Sequence, residues 1–174
     1  MASRAISKSP KADWRVAFRR SLRRALQMTG AVALFGTMVF LALSLVSYTQ
    51  TDPSLSTAAS ETEVANWMDL SGAWAAERLL FLFGWSSVLI LPLLYVGARK
   101  LWRDVEEEDI DNETRWWSPV LMLLLGMALL STVLALAVDP QRGEYPASFG
   151  GITGLLGAGA VEAVSAKLAG SASG

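Results

Sequence analysis

Residues 25–51 read ALQMTGAVALFGTMVFLALSLVSYTQT, a 27-residue stretch without Asp, Glu, Lys or Arg. About 20 helical residues cross a hydrocarbon layer roughly 30 Å thick, so this stretch is long enough to span a membrane. Lipid offers the backbone no hydrogen-bonding partners, and a helix satisfies its own amides within one segment. We therefore predict that this stretch forms a membrane-spanning helix.

Two further runs, 79–98 and 116–138, also lack Asp, Glu, Lys and Arg. Three such runs are implausible in a soluble core, and they predict an all-α integral membrane helical bundle with three spanning helices. The predicted organisation is a basic cytoplasmic segment at 1–24, a three-helix membrane domain at 25–138 and a Gly-rich segment at 139–174.

Basic residues are distributed unevenly around the three runs. Residues 1–24 hold eight Lys or Arg against the single acid Asp13, and the first connection holds only Arg78. The second connection holds Arg99, Lys100, Arg103 and Arg115. Because cytoplasmic connections carry the excess of Lys and Arg, the amino end and the loop at 99–115 are predicted to be cytoplasmic. The connection at 52–70 is then outside.

Two questions concern the beginning of the chain: whether the first apolar run is cleaved or retained, and what the basic segment before it forms. A cleavable secretory signal would have Ala58 or Ala59 near its cleavage site, but its apolar region is only about 7–15 residues long, which favours a retained anchor. Before that anchor, Trp14, Phe18 and Leu22 alternate with Arg residues. This segment is either a short helix lying on anionic lipid or a flexible electrostatic tether.

After the third run the chain becomes rich in small residues. Glycines recur from Gly150 to Gly159, and Glu162 and Lys167 follow. This composition favours an interfacial or re-entrant helix over a fourth span, because a centred charge costs about 2.5–3.5 kcal/mol on insertion scales. Pro92, inside the second run, is predicted to kink that helix.

The sequence has few residues or motifs that could form a catalytic, nucleotide-binding or metal-binding site. Without a G-x-x-x-x-G-K-[ST] loop, the chain is predicted neither to bind nor to hydrolyse ATP. Asp109, Asp111 and Glu113 alternate as in a calcium loop, but Thr114 and Val120 stand where an EF-hand needs Gly and Glu. Cys and His are absent, and the three uncharged runs offer no ionisable group for a transport path. We predict no catalytic, cofactor-binding or metal-ligating residue.

Several short motifs, taken in order, resemble the amino-terminal membrane domain of the FtsK/SpoIIIE DNA translocases. Asp52-Pro53-Ser54 resembles that family's D-P-S element after the first span. The later matches are Asn66, Gly72-Ala73-Trp74, Phe83-Gly84, Pro92 and Gly150-Gly151-Ile152-Thr153-Gly154. Asp69 and Glu77 depart from the family, which often has Gly and Asp there. The resemblance covers residues 20–165.

The resemblance implies a membrane anchor and interaction domain of the bacterial inner membrane, located at the division septum. It also implies four spans, a linker and a cytoplasmic hexameric motor that uses ATP and magnesium to move DNA in chromosome segregation. Division proteins are the implied partners, with self-association in the complete protein and DNA contacted only through the motor.

Other functions remain open at this point. The main alternative is a complete small multi-span membrane protein, such as a transporter or a secretion subunit, and an enzyme is less favoured. Because three crossings from a cytoplasmic start end outside, the missing crossing is predicted to lie beyond Gly174. A periplasm-dependent reporter fused there is then expected to be active.

Overall fold

The computed structural model of the chain describes residues 10–53, 64–106, 117–138 and 146–172. Those residues contain helices and no strand, which confirms the all-α prediction. The elements are α1 (Pro10–Val46), α2 (Asp69–Phe83), a 3-10 helix (Gly84–Leu89), α3 (Ile90–Glu106), α4 (Trp117–Ala137) and α5 (Gly151–Ala172).

Four stretches of the described chain are long and apolar enough to cross a membrane: Trp14–Val46, Asp69–Val105, Trp117–Ala137 and Gly151–Ser171. The prediction of three spans plus a short Gly-rich helix is therefore wrong. The helix α5 has 22 residues and is roughly 33 Å long, enough for a full crossing. The small residues in its first half, Gly154, Gly157 and Ala158, pack against protein, which is why these positions lack the Leu, Ile, Val and Phe typical of a span.

The bundle consists of two helix pairs. The first pair, α1 and α3, is antiparallel: Leu34 lies 3.5 Å from where a Gly97 Cβ would be, and Leu101 lies 3.5 Å from the corresponding point at Gly30. The second pair is α4 and α5. The elements that join the pairs are α2 and the 3-10 helix, whereas α3 meets α4 at only a few positions.

The helix α2 connects the two pairs at one end of the bundle. We call the end where α1 stops at Val46 the distal end, and the opposite end, which carries Arg99 and Arg103, the basic end. Gly72, near the start of α2, lies against Ser44 of α1, and Gly84, directly after α2, lies against the residue that opens α5. Both ends of α2 are therefore at the distal end.

The second crossing is consequently made by the 3-10 helix together with α3. Six residues of 3-10 helix and 17 of α-helix extend roughly 37 Å, which suffices for the hydrocarbon layer. Pro92 is the third residue of α3, just after the 3-10 helix. The departure from α-helical geometry thus lies before Pro92. Pro92 itself is in the first turn of α3, where a missing amide donor costs little.

Little of this chain is buried. At most 22% of the residues in the most hydrophobic window of any span are covered by protein. The buried apolar residues of the described chain are mostly alanines, and the exceptions are Leu80 of α2 and Met127 of α4. Most of the helix surface is therefore left to lipid or to other protein.

The four-crossing architecture changes the expected position of the carboxyl end. An even number of crossings returns the chain to the side from which α1 starts, so we expect a reporter after Gly174 to report the same side as one at the amino end. Paired fluorescent-protein and alkaline-phosphatase fusions at both ends measure this. Opposite sides for the two ends would contradict α5 as a spanning helix.

Candidate functional site: the contacts that join the helices

Polar side chains fasten the end of α1 to the segment that leads into α2. We call Ser44, Ser47, Asp52 and Asn66 the distal clasp. The Ala65 amide donates to Asp52 Oδ1 (2.7 Å), the Trp67 amide donates to Ser47 Oγ (3.0 Å), and Asn66 Nδ2 donates to the Ser44 carbonyl (2.9 Å). Donors from three successive residues, 65–67, therefore bind the last turn of α1 and the residues that follow it.

Asn66 is the centre of the distal clasp and is only 4% exposed. Its Oδ1 accepts the Met68 amide (3.0 Å), which is the Asx turn that starts a chain reversal. Its Nδ2 satisfies one of the carbonyls that the end of α1 leaves without a helical partner. A Cβ at Gly72 would lie 2.9 Å from Ser44 Oγ and closer still to Asn66 Oδ1. Gly72 is therefore needed for α2 to approach the clasp.

The first residue of α2 has an unusual backbone conformation. Asp69 has a φ of 59°, in the left-handed region that favours glycine and that Asp tolerates better than most residues. Its amide donates to the Asn66 carbonyl (2.9 Å), which closes the turn. A left-handed backbone at this position gives a physical reason for the Gly that the resembled family often has where this chain has Asp69.

Glycines make the second junction, where α2 ends beside the start of α5. Gly84 and Gly151 have φ values of 59° and 64°, and side chains at either would meet the backbone of the other segment. The Trp85 amide donates to the Phe149 carbonyl across this contact (2.9 Å). Glycine is required here for both the backbone conformation and the close approach.

Hydroxyl groups satisfy the backbone where the 3-10 helix begins. Ser131 Oγ of α4 donates to the Phe83 carbonyl (2.9 Å) and lies 2.6 Å from Ser86 Oγ. Ser86 Oγ donates to the same carbonyl (2.8 Å), and both serines are buried. The interruption of the helix is thus paired by protein rather than left to lipid, where an unpaired carbonyl would be costly.

Two glycines of α5, Gly154 and Gly157, and Gly150 just before it pack on α4. A Cβ at Gly150 or Gly154 would overlap the Ser131 carbonyl and crowd Ala135, and one at Gly157 would overlap Thr132. We call Gly84, Gly150, Gly151, Gly154 and Gly157 the glycine seam. Small residues allow helix backbones to approach closely in membranes, and Gly150, Gly154 and Gly157 follow this rule.

One ionisable residue in this region was missed from the sequence. Glu77 lies in the buried stripe of α2 with Ala73, Ala76 and Leu80, and is 4% exposed. Glu77 precedes the uncharged run that begins at Leu79, so that run did not indicate its burial. Because α2 lies at the distal end, Glu77 is near the membrane boundary rather than at its centre.

Some of the motif residues singled out in the sequence contact one another in the structure, and others lie outside the described residues. The motif residues Asp52, Asn66 and Gly72 meet in the distal clasp, and Gly84 meets Gly151 in the glycine seam. Ser54 lies outside the described residues, as do Asp109, Asp111 and Glu113. Within the described part of the chain, no cluster of His, Cys, Asp or Glu could hold a metal ion.

This arrangement defines a class: a four-crossing helical membrane domain whose distal end is fastened by polar and glycine contacts. The family model of the 4TM region of DNA translocase FtsK/SpoIIIE matches residues 23–171. The chain belongs to that family, through its membrane region. The sequence-based resemblance is confirmed, and a transporter or secretion subunit is not favoured.

Curated relatives show the same relationship. The chain is 30% identical over 135 residues to DNA translocase FtsK 2 of Ralstonia nicotianae, covering 72% of this chain and 17% of that protein. It is 32% identical over 122 residues to DNA translocase FtsK 1 of Neisseria meningitidis serogroup B, covering 67% and 15%. The chain thus spans less than a fifth of these relatives. No solved structure matches significantly.

The glycine seam can be tested with two alanine substitutions in the same helix. Gly154→Ala places a methyl group against the Ser131 backbone, and we expect it to lower the free energy of unfolding by about 1–3 kcal/mol. Gly159, with open space around it, is the matched control. Gly159→Ala should be neutral or stabilising by up to about 1 kcal/mol. Unfolding in detergent with increasing dodecyl sulfate measures both, and equal effects would contradict the seam.

Asp69 gives an independent test of the distal turn. Asp69→Gly relieves the left-handed conformation, and we expect it to raise the free energy of unfolding by up to about 1 kcal/mol. Ser71→Gly, in the same turn of α2, should instead lower it by about 0.5–1 kcal/mol. The same unfolding measurement separates the two signs. Destabilisation by both substitutions would show that Asp69 contributes more through its carboxylate than its backbone costs.

Proposed function

We propose that this chain anchors an FtsK-type DNA translocase motor in the inner membrane and positions it at the division septum. The observation that supports this most directly is the even number of crossings. Both α1 and α5 have their outer termini toward the basic end of the bundle, so a domain attached after α5 is on the same side as the amino end. A DNA motor requires that side to be the cytoplasm.

The proposed orientation is supported by the basic residues themselves. Arg99, Lys100 and Arg103 lie in the last turns of α3. In the antiparallel pair, that part of α3 lies beside the beginning of the α1 span, just after Arg23 and Arg24. All of these cations are therefore at one end, which the positive-inside rule assigns to the cytoplasm. The distal clasp and α2 then face the periplasm.

Contacts with other proteins are proposed from the uncovered surface. Apolar side chains of α4, including Leu121 and Leu125, are exposed, and α5 is exposed all round from Gly159 to Ser171. We propose that part of this surface is covered by copies of the same chain in the complete protein, and that division proteins cover another part. DNA is contacted through the motor and not through these helices.

We also propose that this chain has no enzymatic activity of its own. It lacks a phosphate-binding loop, and the family match falls on the membrane region rather than on the motor. ATP and magnesium would then be used only by the motor of the complete protein, and this chain would need no cofactor.

Localisation tests the proposed function. A fluorescent protein fused after Gly174 should concentrate at the septum of dividing bacteria, because the contacts proposed for the four-helix domain include division proteins. The control is a fusion to residues 1–53, which retains α1 as an anchor but lacks the rest of the bundle, and should spread evenly around the membrane. Even distribution of both fusions would contradict septal positioning by this domain.

A further inference from the structure

An apolar groove runs between α1 and α3 toward the basic end. Its floor is formed by Ala31 and Ala98, which are buried because these small residues let the two helices approach. Val32 and Phe35 project from α1 and Tyr95 projects from α3 to form its walls. The cavity volume is about 270 Å³, and the groove is open on one side. In the membrane, that side faces lipid.

The groove ends at a cation. Arg99 lines it and is exposed, and among the described residues it has no ion pair. Arg99 lies beside Ala31 and Val32, whereas the basic residues of α1 end at Arg24, roughly 10 Å farther along the axis. Arg99 is thus deeper in the membrane than those cations, where a guanidinium without an anionic partner is costly.

Neighbouring side chains extend this arrangement toward the membrane surface. Trp102 lines the same end of the groove and is about half exposed, as expected of an amphipathic ring at headgroup level. Arg103 lies one helical turn beyond Arg99, on the same face of α3, and it is also exposed. The groove therefore presents apolar surface first and then, over about one turn of α3, two cations with an aromatic ring between them.

We propose that this groove binds one anionic glycerophospholipid, with an acyl chain along Val32, Phe35 and Tyr95 and the phosphate at Arg99. An acyl chain on the apolar part of the groove places the phosphate of such a lipid at the end of the groove where Arg99 and Arg103 lie. Basic pockets between membrane helices recognise anionic headgroups in this way. A soluble ligand is disfavoured because the groove opens into the lipid layer. The proposal does not depend on the septal function.

Native mass spectrometry of the purified chain tests the proposal. The chain is given equal amounts of phosphatidylglycerol and phosphatidylcholine with identical acyl chains, and the retained lipid is counted. We expect retention of one phosphatidylglycerol in preference to phosphatidylcholine. Arg99→Gln should reduce that preference about fivefold, the effect of about 1 kcal/mol per cation near the surface. Arg78→Gln, which removes an exposed cation in α2, is the matched control and should leave the preference unchanged.

A second variant tests the apolar part of the groove. Val32→Trp fills it without changing charge and should reduce retention of both lipids, while the unfolding transition in detergent stays near that of the unchanged chain. Equal retention of the two lipids by the unchanged chain would overturn the proposal, as would an equal effect of Arg78→Gln. Displacement of the lipid by glycerol 3-phosphate alone would show that the acyl chain is not held. Lipid-free dimers that protect the groove would assign it to a second copy.

Discussion

The structure depends on satisfying the backbone wherever a helix stops inside or beside the lipid layer. Regular helices meet this requirement by themselves, but the end of α1, the 3-10 helix and the start of α5 do not. All three interruptions lie at the distal end. There, the Asn66 side-chain amide donates to a carbonyl of α1, and two serine hydroxyls donate to the Phe83 carbonyl. The Phe149 carbonyl accepts the Trp85 amide. The hydrogen bonds between helices described above therefore lie where the regular helices end.

The glycines of the motifs lie at these same helix ends and junctions. Each packs a backbone against something that leaves no room for a side chain, and two of them also adopt a left-handed conformation. The motif glycines therefore serve close packing of the backbone rather than catalysis. Asp69 supports this interpretation, since it retains the left-handed geometry although it is not glycine.

Much of the architecture could be predicted from the sequence, and the failures have physical causes. The uncharged runs predicted the spanning parts of α1 and α4, whereas the run 79–98 covers the end of α2, the 3-10 helix and the first half of α3. The spanning role of α5 was missed because its packing face is made of Gly and its charged residues, Glu162 and Lys167, are exposed on the helix. The separate helix α2 and the burial of Glu77 were also missed, since both depend on where the chain turns, which hydropathy alone does not reveal. The motif residues of the distal clasp were recognised from family resemblance, but their mutual contacts required the fold.

The joining of the helix pairs at only one end has a mechanical consequence. Since α2 and the 3-10 helix connect the pairs at the distal end, the pairs resemble two arms that share a hinge. A lateral force at the basic end acts with the full length of the arms as its lever, and the resulting torque falls on the contact between Gly84 and Gly151 and on the distal clasp. A load applied on one side of the membrane would therefore be felt as a change of angle at the other.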